Sequence, residues 1–302
     1  MGSHFGDRLA KSCAEKDSFV CVGLDPRWGS LPDSIRQGVS PTDLQAVAVA
    51  TQCYCQEVID AVAEFSPVVK PQAAFFENLG PHGMQALWGI VQHARKAGLI
   101  VLLDGKRGDI GSTAQGYAEA YLGYESPWQC DALTVNPYLG DDTLAPFHQA
   151  ATDNGAGVFV LVKTSNPGSG FLQDLQFGEP ADSKAIYEHV AAHVESLAAS
   201  HTGESGMGSI GAVVGATYPE QLAELRAKMP HAWILIPGFG AQGGTVEDVK
   251  HGFRLIDGTS TGAIVNSSRG IIFAYQKDNS ASDWQTAVAA AAKEMRDQLR
   301  AI

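Results

Sequence analysis

Cysteine is scarce and irregularly placed in this chain. The five residues Cys13, Cys21, Cys53, Cys55 and Cys130 form no CxxC pair and no Cys/His zinc spacing. An odd, scattered set excludes a disulfide framework and fits reduced thiols, so a cytoplasmic location is expected. Cys53 and Cys55 are two apart and would not share a helix face. No apolar run reaches the ~18 residues of a membrane helix, and the opening MGSHFGDRLAKSCAEKDSF contains no apolar signal segment. Positive charge is also short: 21 Lys and Arg against 33 Asp and Glu leave a formal net charge of −12. That balance disfavours nucleic acid and anionic membranes as partners, while allowing one local basic pocket for a small anion. Histidine and serine motifs are missing too. There is no HExxH, and Ser165 lacks a GxSxG context. His82, His93, His148, His189, His193, His201, His231 and His251 fall in expected helices or loops and read as surface residues. No metal site is expected.

What is present is a recurring alternation. SFVCVGLD (18–25), SPVVKP (66–71), GLIVLLD (98–104), DALTVNP (131–137), GVFVLVKTS (157–165), GAVVGAT (211–217), WILIPG (233–238) and GAIVNSS (262–268) are short, nearly continuous apolar runs. Such runs suit parallel strands buried on both faces. Helix-like segments such as DLQAVAVATQCYCQEVIDAVAEF and PEQLAELRAKM separate them. Eight strands alternating with helices predict an α/β fold, a single-domain (β/α)8 TIM barrel over 1–302, with a doubly wound open sheet as the second choice. Residues 1–17 read as an N-terminal helical extension. Two stretches read as long loops, 28–43 and 166–183. The second mixes glycines with Phe171, Leu172 and Phe177, a composition for either an active-site lid or a plain surface excursion.

Polar residues then fall at the strand ends. Asp25 closes the first run, Lys70 the second, Asp104 the third and Asn136 the fourth; Thr164 and Ser165 close the fifth, and Arg269 follows the eighth. In a barrel these positions share the C-terminal rim, where such enzymes carry out their chemistry. The densest stretch is IVLLDGKRGDIGST (100–113). If strand geometry persists through Gly105, Asp104 and Lys106 both project toward the mouth, since side chains two apart point the same way. With Lys70 and Asp109 they allow an alternating cation–anion array, serving catalysis or merely closing the barrel. Arg107 reads as a solvated or interface salt bridge.

IPGFGAQGG (236–244) satisfies G-x-G-x-x-G through Gly238, Gly240 and Gly243. A dinucleotide turn is a poor reading, because only one strand follows. Glycine backbone N–H groups after the seventh strand, joined by the guanidinium of Arg269, instead suit a phosphate.

DGKRGDIGST resembles the D-x-K-x-x-D-I…T motif of the orotidine 5′-phosphate decarboxylase family. KPQAAFFE (70–77) is similar to the second-strand segment of its longer bacterial branch, and VGLDPR, KTSNPGSG, PGFGAQGG and SSRG extend the likeness, in order, across nearly the whole chain. The resemblance implies conversion of orotidine 5′-monophosphate to UMP and CO2 in pyrimidine synthesis, with no metal or organic cofactor. By motif position, Lys106 would give the proton to C6 and Asp104 would lie beside the departing carboxylate. Lys70 and Asp109 would complete the array, with Asp109 crossing a homodimer interface to the partner's site. Asp25 would hold the ribose hydroxyls, with Thr113 reaching over from the partner, and Ser165 would contact the base. Pro237, Gly238, Gly240, Gln242 and Arg269 would complete the substrate site, the last four on the phosphate.

Two other readings stay open at this point. Related barrel enzymes acting on sugar phosphates with Mg²⁺ place an acidic metal ligand on the second strand, where this chain has Lys70, and a lysine repels the ion. A catalytically silent phosphate-binding barrel is the other, because fold alone does not set function.

Overall fold

The computed structural model describes residues 3–179, 183–240, 244–256, 258–277 and 283–302. Eight parallel strands close into a barrel. They are β1 (Val20–Leu24), β2 (Val68–Pro71), β3 (Ile100–Arg107), β4 (Ala132–Val135), β5 (Gly157–Lys163), β6 (Ile210–Val214), β7 (Trp233–Pro237) and β8 (Ala263–Ser267). Each strand pairs with its chain neighbours, and β1 closes the ring against β8 through Val20 beside Val265. All eight coincide with apolar runs read from the sequence. The reason is plain in the burial: β1, β2, β4, β6 and β8 are buried at every residue, as two-faced strands must be.

Two apolar layers hold the barrel. Outside, strand residues such as Val22, Val69 and Val101 pack against the helices Leu44–Val62 and Gly80–Lys96 through Val58, Ile59, Leu87 and Ile90. Inside, Leu102, Phe159, Trp233 and Leu235 fill the lumen, and the N-terminal helix Phe5–Lys16 adds Phe5, Leu9 and Cys13 to the same cluster. Arg8 on that helix pairs with Asp131 at the start of β4, fixing the helix to the barrel. Cys53 is exposed and Cys55 buried on one helix, as two-residue spacing requires, and all five cysteines are free thiols. Among the described residues, no helix is long and apolar enough to cross a membrane.

Regular barrel geometry breaks at two strand ends. Between β3 and β4, Leu103 pairs with Leu133 but Arg107 with Val135, so β3 carries two more residues than its partner. Between β5 and β6 the register slips again, from Leu161 beside Val213 to Lys163 beside Val214. Bulges of this kind re-aim side chains. The two long loops are not bare. A 3-10 turn Trp28–Ser30 and a helical turn Asp33–Arg36 occupy 28–43. The stretch after β5 contains the helical turn Gly170–Gln173 and a short hairpin of Gln176–Phe177 with Lys184–Ala185.

Candidate active site

The C-terminal rim gathers the ionic residues around Asp104. Lys70 Nζ donates to Asp104 Oδ2 at 2.6 Å, and Lys106 Nζ donates to Asp104 Oδ1 at 2.6 Å. Two neutral donors complete the shell: Gln72 Nε2 to Oδ2 at 3.0 Å and Thr134 Oγ1 to Oδ1 at 2.9 Å. A carboxylate offers about four acceptor positions, so this one is saturated. Asp104 is thereby fixed in orientation and held ionised. Burial alone would raise its carboxyl, but Lys70 and Lys106 overcome that and keep it well below the usual carboxylate range. Burial likewise opposes the charge on Lys70, and the negative charges of Asp104 and Asp25 reverse the effect, raising its ammonium above the ordinary value.

A cavity of about 750 Å³ opens over this array. Lys70, Asp104, Lys106, Asn136, Ser165 and Pro237 line it, so residues from five strand ends meet there. Other residues singled out in the sequence follow the ends of β1, β7 and β8 and are not among its lining residues. Asp25, just beyond β1, has a buried Oδ1 without a hydrogen-bond partner among the described residues. Gly238 and Gly240 follow β7 with φ of 103° and 69°, conformations natural only to glycine. Arg269 is exposed at the start of the helical turn Arg269–Ile272, directly after β8. Gln242 and Gly243 lie outside the described residues. Asp109 and Thr113 do not line the cavity of their own chain. Asp109 Oδ1 accepts from the Ile110 backbone N–H at 2.8 Å, and Thr113 is exposed. Within one chain, therefore, the array is Lys70–Asp104–Lys106, without Asp109.

Several participants escaped the sequence reading. Thr134 and Gln72 are two. His189 lines the cavity although it sits on the helix Ile186–Ser200, its ring edge-on to Phe177 at 5.4 Å. Arg107 is not solvated: it pairs with Glu77 of the same chain and lies 5.8 and 5.7 Å from the ring centres of Tyr117 and Tyr121. It braces the end of β3 between two helical segments.

A family model described as the orotidine 5′-phosphate decarboxylase / HUMPS family matches residues 18–284. The chain belongs to this family. An orotidine 5′-phosphate decarboxylase of Rhodopirellula baltica is 52% identical over 98% of this chain and 99% of its own length. One from Deinococcus radiodurans is 40% identical over 99% and 98% of the two chains. The solved structure of Leishmania donovani OMP decarboxylase superposes with a TM-score of 0.74 at 34% identity, covering 99% of both chains.

In this family member the bulge in β3 has a local cost. Lys106 adopts φ of 45°, the left-handed region that a residue with a Cβ enters at about 1 kcal/mol or more. Thr134 holds the strained backbone in place: its Oγ1 accepts the Lys106 N–H at 2.9 Å while donating to Asp104. The strain brings Lys106 Nζ back onto Asp104, which straight strand alternation through Gly105 would not guarantee. Lys106→Gly and Lys106→Ala both delete the ammonium, but only glycine relaxes this φ. The glycine variant is expected to unfold at a higher urea concentration, by about 1 kcal/mol of stability over alanine. Equal midpoints would show that the backbone is unstrained.

Among the described residues, no group of three or more His, Cys, Asp or Glu side chains is arranged to hold a metal ion.

Proposed function

We propose that this chain decarboxylates orotidine 5′-monophosphate to UMP and CO2, with Lys106 as the proton donor. The observation that carries the reading is the saturated Asp104 carboxylate between two ammonium groups at the floor of the rim cavity. In the reaction the C6–carboxylate bond breaks, CO2 departs, and the bonding electron pair stays on C6. The ring cannot readily delocalise it. A fixed ammonium beside C6 stabilises that charge as it develops and then transfers a proton, forming the C6–H bond. Neutral Lys106 is reprotonated from solvent, to which its side chain is 45% exposed. Asp104, with every acceptor position taken, acts neither as acid nor as base. Its charge keeps Lys106 oriented and disfavours a second carboxylate held close by.

Binding is assigned to the surrounding residues. Asp25 Oδ1, without a hydrogen-bond partner among the described residues, suits a ribose hydroxyl donor. Arg269, with Gln242 and the turn around Pro237, Gly238 and Gly240, suits the phosphate. Ser165 suits the base. Phosphate contacts far from C6 supply binding energy that orients the reacting carbon.

Asp109 and Thr113 are assigned to the partner's site in a homodimer. The adjoining Ile110, 61% exposed, supports this as apolar surface that a second chain could cover. The first test is the absorbance of orotidine monophosphate on mixing with purified protein; an unchanged spectrum would exclude the activity. The second mixes inactive Lys106→Ala and Asp109→Ala chains under subunit exchange. Hybrid dimers then contain one intact site, and roughly a quarter of the unaltered activity should return for a two-fold symmetric assembly. No recovery, with exchange verified, would rule out a shared site.

A further inference from the structure

We infer that Lys163 is a positioning residue for base recognition, a buried cation that latches the segment after β5 across the barrel mouth and holds Ser165 and Gln173 in the substrate cavity. The inference deepens the decarboxylase reading and rests on it.

Lys163 ends β5 and Lys70 lies one residue short of the end of β2, yet Lys163 does not join the array around Asp104. The register slip between Leu161 and Lys163 turns it elsewhere. Its side chain is 0% exposed, with Nζ 4.8 Å from the ring centre of Tyr218 and 5.5 Å from that of Tyr187. Aromatic faces attract a cation but do not neutralise it. The carboxylate that does so is Asp174, which is 46% exposed and belongs to the segment after β5. A buried ammonium without its counter-ion is strongly disfavoured. The barrel wall therefore holds Asp174, and with it the loop, in one place.

The neighbouring residue makes a second fastening. Gln173 accepts the Thr164 backbone N–H through Oε1 at 3.0 Å and donates from Nε2 to Thr164 Oγ1 at 2.9 Å. Thr164 directly precedes Ser165. On its other side Ser165 is buttressed by Gly215, where an added Cβ would stand 2.8 Å from the Ser165 Cβ, and Gly215 N–H donates to the Lys163 carbonyl at 2.8 Å. Ser165, Leu172, Gln173 and Tyr187 line the same cavity as Lys106. One ion pair thus fixes both the strand end carrying Ser165 and the loop wall facing the bound nucleotide.

The test uses Lys163→Met, which keeps the aliphatic stem between the tyrosines, and Asp174→Asn, which removes the charge at a half-exposed position. Each is expected to weaken UMP binding about tenfold, to raise KM for orotidine monophosphate similarly, and to leave kcat within about threefold, the pattern of lost uniform binding. Inhibition by ribose 5-phosphate, which has no base, should stay within about twofold of the unaltered chain, because the latch acts on the base side. The double variant should be no weaker than the worse single, since both break one interaction. Equal losses for UMP and ribose 5-phosphate, or additive effects in the double variant, would overturn the latch. If Lys163→Met does not fold, Asp174→Asn decides on the UMP and ribose 5-phosphate comparison alone. An unaltered chain that binds UMP together with variants that bind it equally well overturns the latch only. An unaltered chain that neither binds UMP nor consumes orotidine monophosphate overturns the functional reading, and this inference with it.

Discussion

Lys106→Ala is expected to reduce kcat/KM by a factor on the order of 10⁴ to 10⁷ while the barrel stays folded. The figure compounds two losses: general-acid delivery of a proton is worth about 10²–10⁴, and a preorganised donor aimed at developing charge about 10²–10³. Folding should survive because the side chain is nearly half exposed, so its removal admits water rather than opening a sealed void. Lys106→Arg separates the two contributions. Arginine retains a positive charge but does not release its proton near neutral pH. It should recover the electrostatic share at most, remaining about 10²-fold or more below the unaltered chain. The measurement is the initial rate of orotidine monophosphate consumption for all three proteins, with thermal unfolding as the control for integrity. An arginine variant within tenfold of the unaltered chain would remove Lys106 from the proton-donor role.

The three members of the array were legible because each is ionisable and ends, or directly follows, an apolar run. Burial of such a group is disfavoured unless something else requires it, so a strand that runs into charge announces the functional rim. The eight strands were legible for the complementary reason, since a barrel strand faces apolar neighbours on both sides. Thr134 was not legible: a β-branched residue inside DALTVNP reads as ordinary strand filler, and only the fold places its hydroxyl between Lys106 N–H and Asp104. Gln72 lies two residues beyond Lys70 and shares its direction, a signal available in KPQ but overshadowed by the lysine. Lys163 shows the limit most clearly. By position it looks like a second Lys70, yet a register slip that leaves no periodic trace in GVFVLVKTS sends it away from the array. The left-handed Lys106 is similar, with neighbouring Gly105 as its one sequence hint. Asp109 is a different case, because its assigned role depends on a second copy of the chain.

Asp104→Ala is expected to lower stability by about 3–5 kcal/mol and to abolish turnover as well. Against a typical total of about 5–15 kcal/mol this is a large share. The loss arises less from a missing attraction than from what is left behind: Lys70, only 6% exposed, would lose the carboxylate it is paired with. In Lys70→Met/Asp104→Leu the buried pair is replaced by apolar groups of similar size, and Lys106 is free to extend toward solvent. Such replacements are commonly neutral or stabilising. The double variant should therefore regain most of the lost stability while remaining inactive, which would identify the ionic array as a catalytic device and not a structural clasp. Its pH dependence should change in step. Asp104 is held below its unfolded value of about 3.9, so its contribution is complete above that pH and fades as pH falls beneath it. Lys70 is held above its unfolded value of about 10.4, so its contribution is complete below that pH and fades as pH rises through the elevated range. Urea midpoints measured between pH 2 and 11 should fall more steeply at both extremes for the unaltered chain than for the double variant, on the order of 1–3 kcal/mol in acid. If the double variant proves as unstable as Asp104→Ala at neutral pH, the ion pair is itself a net source of stability, and the separation of catalytic from structural roles at this rim fails.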